Sequence, residues 1–316
     1  MKKDRILKKG GILKYLWRHK VLYLMLIPMI LYFLVFNYYP MLGLQIAFKD
    51  WNPWLGIWGS PWATNALGEL DLFSHFRTLF EDPQFWQKFW NTIRISLLKT
   101  IFSFSLPIVV VILLNELTSL KFKKAVQTVS YLPHFISWVI IAGILFSMAA
   151  ADSAFQNFLA SIFGREIYFF SDDRLFLFIL VLSDIWKGLG WGTIIYLAAL
   201  ASIPAEMYEA AAIDGANRWQ KTFFITLPGM MPAITIRLIF ELSGLTNAGF
   251  DQVFNLYNSA VFGMGDILET WLFRLGVVGG RYDISTALGL FNSLIALVLT
   301  VIANKMIKVF GGSGIW

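Results

Sequence analysis

The sequence predicts an all-α integral membrane protein of six transmembrane helices, and two features carry that expectation. The first is composition: of 316 residues, 57% are hydrophobic and only 15% charged, with a mean hydropathy of +0.63. Soluble domains carry roughly 25% charged residues, so this chain lacks the polar side chains to cover a water-facing surface. The second is patterning. The apolar residues gather in runs of about 20 or more, the length a helix needs to cross the hydrocarbon of a bilayer. Lipid offers backbone groups no partner, so each such run has to be helical.

Six runs meet the requirement, at about 21–48, 95–114, 126–149, 175–200, 228–250 and 284–310. The first follows the basic segment 1–20, MKKDRILKKGGILKYLWRHK, which has no small-residue cleavage site after a short apolar core. It reads as a retained span behind a basic segment lying on anionic lipid. Six spans put both termini on one side of the membrane. Lys and Arg number 15 in the tail, the 115–125 and 201–227 connections and the C-terminal end, against 7 in the other three connections. Basic residues stay on the cytoplasmic side, so both termini are expected there. This distribution assigns the excess positive charge to a membrane surface rather than to nucleic acid.

The connections hold no soluble domain large enough for a core of its own. The longest, 49–90, contains WNPWLGIWGSPW, whose Trp and Pro suit an interfacial loop; aromatic anchoring is its plain reading and docking of an external partner its functional one. The connection at 251–282 contains GMGDILETWLFRLGVVGG, a short amphipathic piece bounded by glycines that lies flat or re-enters. No phosphate-binding loop occurs, since KGLGWGT at 187–193 has glycines but no following Lys. There is no cysteine, and the three histidines, His19, His75 and His134, have no helical pair spacing, so no metal site and no covalent chemistry are expected.

The most ordered polar interruption is YEAAAIDGANRWQKTFFITLP at 208–228. Pro204 suits the first turn of a helix and AEMYEAAAI continues it with strong helix formers. Gly215 can take the left-handed conformation that ends a helix, and Asp214 can cap a second one through NRWQKTFFI, after which Leu227-Pro228 restarts the chain as the fifth span. The alanines give one smooth side, with Glu209 as a single charge on it. A rigid knob continuous with two spans is what a membrane protein needs to receive force from a soluble partner.

This stretch resembles the EAA motif of ABC-importer permeases, and EAAAIDGA resembles its form in the carbohydrate-uptake, maltose-importer-like branch. The likeness extends through DIWKGLGWGTIIYLAALASIP before it and NAGFDQVFNLYN after it, covering about 20–316; YLPHFISW, LLNEL and the terminal GSGIW are closer to the polysaccharide and oligosaccharide permeases of the Gram-positive lipoprotein-associated type. The resemblance implies a permease domain over 21–316 in a bacterial cytoplasmic membrane, with 204–228 as the coupling segment between spans 4 and 5, seated in a cleft of a cytoplasmic ATPase. Glu209, Ala210, Ala211, Asp214 and Gly215 would make the contact and the turn, while Ile225, Leu227 and Pro228 would anchor the return. It also implies the partners: a second homologous permease, ATPase subunits that bind ATP and Mg themselves, and an extracytoplasmic solute-binding lipoprotein. This chain would then need no cofactor and would not be an enzyme.

Charges inside spans are costly and usually face a protein interior or an aqueous path. Asp184 with Lys187, and Arg237 with Glu241, stand at helical spacings, as self-paired charges or as substrate contacts. At 1.5 Å per residue Arg237 lies about 14 Å and Glu241 about 20 Å beyond Pro228, a depth that favours mutual neutralisation. By the same measure Trp191 lies about 20 Å from Pro204 and Phe240 about 18 Å from Pro228. Two aromatics at one level, with Lys187, Ser243 and Asn247 as hydrogen bonders, would suit the apolar faces and hydroxyl rims of a sugar. Aligned outward from the EAA stretch with a one-residue gap near Pro232, Trp191, Phe240, Ser243 and Asn247 fall where the maltose-importer subunit lines its cavity; helix packing is the other reading of the aromatics. The expected function is ATP-driven import of oligosaccharides by alternating access. The alternative is an ion-coupled secondary transporter without an ATPase, against which stand the coupling motif and the lack of an internal repeat.

Overall fold

The computed structural model describes residues 11–309. The first ten residues of the basic segment, the end of the last expected span at 310 and the terminal GSGIW lie outside the described residues. The chain divides into two compact units, residues 1–75 and 76–316.

In the first unit a short helix, Gly11–Arg18, precedes α1, Lys20–Phe48. α1 takes a π turn at Leu34–Tyr38, just ahead of Pro40. A proline deletes one backbone donor and crowds the preceding turn, and the wider pitch accommodates both. None of the described side chains from Val21 to Leu42 is buried, so the helix is apolar all round, as a lipid-facing span requires. The loop after α1 is held by two isolated bridges, Lys49 to Trp62 and Thr64 to Leu70. The Lys49 ammonium donates to Ile57 O at 2.6 Å and lies 4.9 Å from the Trp62 ring centroid. Trp54 and Trp58 stay exposed, which favours the anchoring reading of this loop.

The first long helix of the second unit is α2, Pro83–Asn115, where Pro83 takes the first helical position and the Asp82 side chain accepts from Gln84 N. The third expected span is not one straight helix. α3, Leu120–Phe135, and α4, Trp138–Ala149, meet at a 97° bend. A 3-10 turn at Leu132–Phe135 around Pro133 ends the first, and Ser137 restarts the second by accepting from Ile140 N. After α5, Ala154–Phe163, the central helix α6, Asp173–Ala201, is capped by Asp172. α7, Ala205–Ile213, and α8, Arg218–Ser243, follow. α9, Phe250–Leu256, and α10, Leu268–Phe273, lie in the connection before α11, Tyr282–Val309. Among the described residues five helices, α1, α2, α6, α8 and α11, are long and apolar enough to span a membrane, and the bent pair α3–α4 makes a sixth if it counts as one span.

α6 packs against α2, α3 and α8, and α8 packs against α11. Glycines on α6 permit this closeness: a Cβ at Gly190 would stand 2.1 Å from Ser130 O, and one at Gly192 would stand 2.9 Å from Pro107 Cγ. Gly190 and Gly192 of KGLGWGT therefore serve helix packing, while a Cβ at Gly188 would meet nothing within 4 Å. The fifth span also differs from the sequence reading. α8 already begins at Arg218 and passes through a π turn at Thr222–Thr226, so Pro228 lies inside a continuous helix. The π turn relieves Pro228 as the earlier one relieves Pro40. α8 ends at Ser243 rather than near 250, and Asn247 sits in the turn that follows. The 251–282 connection packs inward: Ile267, Leu268, Thr270 and Trp271 are buried.

Candidate functional site

The segment between α6 and α8 is held from behind and bare in front. Behind it, Ile203 fits against Gly229, where a Cβ would stand 2.5 Å from Ile203 Cδ1, and the Tyr208 hydroxyl lies 3.0 Å from Thr226 Oγ1. Ile225 and Leu227 are half-buried beneath it, Thr226 is buried, and Pro228 is exposed. In front, no side chain of α7 is buried. Glu209 and Ala210 are exposed, Ala211 is half-buried, and Ile213 is 88% exposed. Glu209 has no ion pair or hydrogen bond among the described residues.

The turn is a Schellman closure. Ala216 N donates to Ala211 O at 2.8 Å and Gly215 N to Ala212 O at 3.2 Å, with Gly215 at φ +78°. Asp214 is thus the C-cap of the first helix and does not cap the second. That role falls to Asn217, whose side chain accepts from Gln220 N while Gln220 Oε1 accepts from Asn217 N, a reciprocal capping box directly before Arg218. Two well-defined helix ends enclosing one left-handed glycine make the knob stiff.

The polar residues of the expected pathway sort themselves differently from the sequence reading. Arg237 and Glu241 pair at 2.5 Å, as expected. Asp184 and Lys187 do not pair. Asp184 Oδ1 is 4.0 Å from Lys99 Nζ, while Lys187 donates to Ile136 O and, at 2.8 Å, to His134 O. The α3–α4 bend frees those two carbonyls from helical bonding, and a buried carbonyl needs a donor, so Lys187 reaches across from α6 to supply it. Trp191, half-exposed, stacks on the His134 ring at 4.3 Å with planes 1° apart, beside the same bend. Phe240 is exposed on α8. Ser243 Oγ donates back to Ile239 O, and Asn247 Oδ1 accepts from Gly249 N.

What does converge is a polar centre that the sequence reading missed. Lys99 of α2 is buried, donating to Gln252 Oε1 and, at 2.6 Å, to Ala248 O; Gln252 passes the chain on to Leu180 O and Ser183 Oγ at 2.7 and 2.8 Å. A cavity of ≈ 280 Å³ beside it is lined by Ser96, Lys99, Thr100, Asp184, Glu241 and Asn247, among others. Of the expected sugar contacts Lys187, Trp191, Phe240, Ser243 and Asn247, Asn247 alone lines it, beside Asp184 and Glu241. Lys99 stands within the apolar run 95–114, and a lone charge there was the available signal. Gln252 gave none, because a glutamine in a connection is ordinary.

No family model matches the chain. Among curated proteins it is 40% identical over 300 residues to protein LplB of Bacillus subtilis (strain 168), an alignment covering 95% of this chain and 92% of that one. It is 38% identical over 310 residues to the polygalacturonan/rhamnogalacturonan transport system permease protein YteP of the same strain, covering 98% of this chain and 94% of that one. Among solved structures, a chain of the bacterial alginate ABC transporter in complex with an alginate pentasaccharide-bound periplasmic protein superposes with a TM-score of 0.86 at 38% identity, covering 96% of this chain and 99% of that one. Identity at this level over nearly the whole length, on the same helical framework, makes the chain an integral membrane transport subunit rather than an enzyme, and it belongs to the sugar and oligosaccharide permeases of the ABC transporters.

Proposed function

We propose that this chain is one half of the membrane pathway of an ATP-driven importer, passing oligosaccharides across the bacterial cytoplasmic membrane by alternating access. The observation that carries the reading is the 205–228 segment, stiffly closed, fastened to two long helices and bare on its outer face. A helix with no buried side chain gains little from packing within its own fold, so its apolar and acidic outer face suits a partner. In this reading Glu209 meets a cation on a cytoplasmic ATPase, which itself binds ATP and Mg, and both termini share that side. A second homologous permease completes the pathway, and a solute-binding lipoprotein delivers cargo from outside. The likeness to a transporter seen with a periplasmic binding protein supports the last partner. The names of the relatives, polygalacturonan, rhamnogalacturonan and alginate, favour acidic oligosaccharides as cargo.

The test is affinity purification of this chain from its native membrane, with reconstitution into proteoliposomes. A stoichiometric ATPase and ATP-dependent saccharide uptake are expected. Glu209→Ala should weaken ATPase retention by about 2–5 kcal/mol of interface energy, since it leaves a desolvated partner charge unmatched. Uptake driven by an ion gradient, with no ATPase present, would contradict the proposal.

A further inference from the structure

α3 packs by one side only. Along 120–130, Lys123, Val126, Gln127 and Ser130 are half-buried, at the i, i+3, i+4 and i+7 spacing of a single helix face, and the rest are exposed. The exposed part divides lengthwise into two flanks. Phe122, Ala125 and Val129 make one of them apolar, with Phe122 57% and Val129 71% exposed, while Lys121, Lys124 and Thr128 make the other polar. The lysines have no acidic partners. From 117 to 151 the chain carries no Asp or Glu, Glu116 pairs with Arg218 at 3.6 Å, and Lys121, Lys123 and Lys124 have no ion pair among the described residues.

The direction of α3 gives both flanks a place. α4 follows α6, from Lys187 at the bend to Ala142, which shares a buried apolar cluster with Leu180, so it takes the direction of a span. α3 stands at 97° to α4 and therefore runs in the plane of the membrane. It crosses α6 where Ser130 meets Gly190. At 1.5 Å per residue that crossing is about 26 Å along α6 from Asp173, close to the roughly 30 Å thickness of bilayer hydrocarbon. α3 thus lies at the boundary, where an apolar flank meets acyl chains and lysines reach headgroups. On the topology drawn from the basic residues this boundary is cytoplasmic, and the anionic lipids of that leaflet complement an unpaired lysine flank.

We propose that α3 is an in-plane helix whose apolar flank enters the cytoplasmic leaflet and whose Lys121 and Lys124 bind the phosphate of an anionic phospholipid. The inference rests on the cytoplasmic placement of the termini in the import reading and is independent of the ATPase.

The chain has no cysteine, so a single introduced thiol reports one position. Bimane on Val129→Cys, in the purified complex reconstituted with phosphatidylglycerol or phosphatidylcholine carrying brominated chains, reads both parts of the claim. Either lipid should quench it, and competition between them should favour phosphatidylglycerol about five- to thirtyfold, the worth of one to two lysines at such a surface. Lys121→Gln combined with Lys124→Gln should abolish that preference and leave the quenching in place. Both side chains are exposed and unpaired, so the fold does not depend on them. Thr128→Cys in intact cells should resist an impermeant maleimide until the membrane is opened. Absence of quenching, as when a second permease covers the flank, would overturn the inference. Equal affinity for the two lipids, a preference that survives loss of both lysines, or labelling of Thr128→Cys from outside would do the same. ATP-driven uptake in the same vesicles judges the importer reading separately: quenching with lipid preference but no uptake keeps α3 on the lipid and removes the importer, and uptake without quenching does the reverse.

Discussion

Glu209 on α7 has no ionic partner among the described residues, whereas Asp266, just before α10, has two cations within 3.5 Å. The contrast extends to their surroundings. Around Asp266 and Lys99 nearly every polar group is committed to the chain itself, through partners up to 176 residues away. On α7 no side chain is buried. The first region is finished by folding; the second is shaped by folding and left for something else to cover. Substitutions should therefore act through stability in the interior and through function, with stability spared, on the knob.

The largest effect is expected where helices touch through a glycine. In Gly190→Val the new Cβ would stand 2.1 Å from the Ser130 carbonyl, and backbone cannot swing aside as a side chain does. The cost exceeds the roughly 1–3 kcal/mol usual for overpacking, and the chain should fail to accumulate in membranes, as read by immunoblot of the membrane fraction. Normal abundance would dissolve the distinction between the two regions.

Next comes Asp266→Ala, which strands two cations, Lys88 in a buried position. Removing one partner of a buried pair costs about 3–5 kcal/mol, so thermal unfolding of the detergent-solubilised protein should fall markedly while ATPase retention in the surviving fraction is normal. A smaller effect sharpens the comparison by pH. Burial pushes the Glu269 carboxyl up to about 7, with Lys99 opposing, and its Oε2 has no hydrogen-bond partner. A carboxyl raised in the folded state adds stability below its unfolded value and loses it as pH climbs through the folded one. The melting temperature should therefore drop between about pH 4.5 and pH 7, and Glu269→Gln should flatten that drop.

The same contrast explains what could be read in advance. The knob was legible because its determinants are local: a proline before the helix, alanines within it, a glycine after it, all inside one stretch. Even there the cap was misassigned, to Asp214 instead of Asn217, because both are good capping residues and only the Schellman bonds decide between them. The long spans were legible from hydropathy, but the α3–α4 bend was not: its freed carbonyls are satisfied by Lys187, about fifty residues on. That distant contact also drew Lys187 away from Asp184, whose helical spacing suggested a pair, while Arg237 and Glu241, with no such competitor, paired as their spacing implied. Lys99 was a lone charge in an apolar run, but its partnership with Gln252 was not legible because it joins different elements across the chain.

Gly215 bears most directly on the central claim, that the 205–228 segment transmits a partner's cycle to the pathway. At φ +78°, with nothing within 4 Å of where a Cβ would be, a side chain there strains the turn without displacing any neighbour. Gly215→Val should cost about 1–3 kcal/mol locally and misdirect α7 while the helices behind it stay packed. The measurement is the ratio of saccharide taken up to ATP hydrolysed, in proteoliposomes holding the complete complex. The account predicts a Gly215→Val complex that reaches the membrane and hydrolyses ATP but takes up little or no saccharide. A native ratio of uptake to hydrolysis in that variant would contradict it.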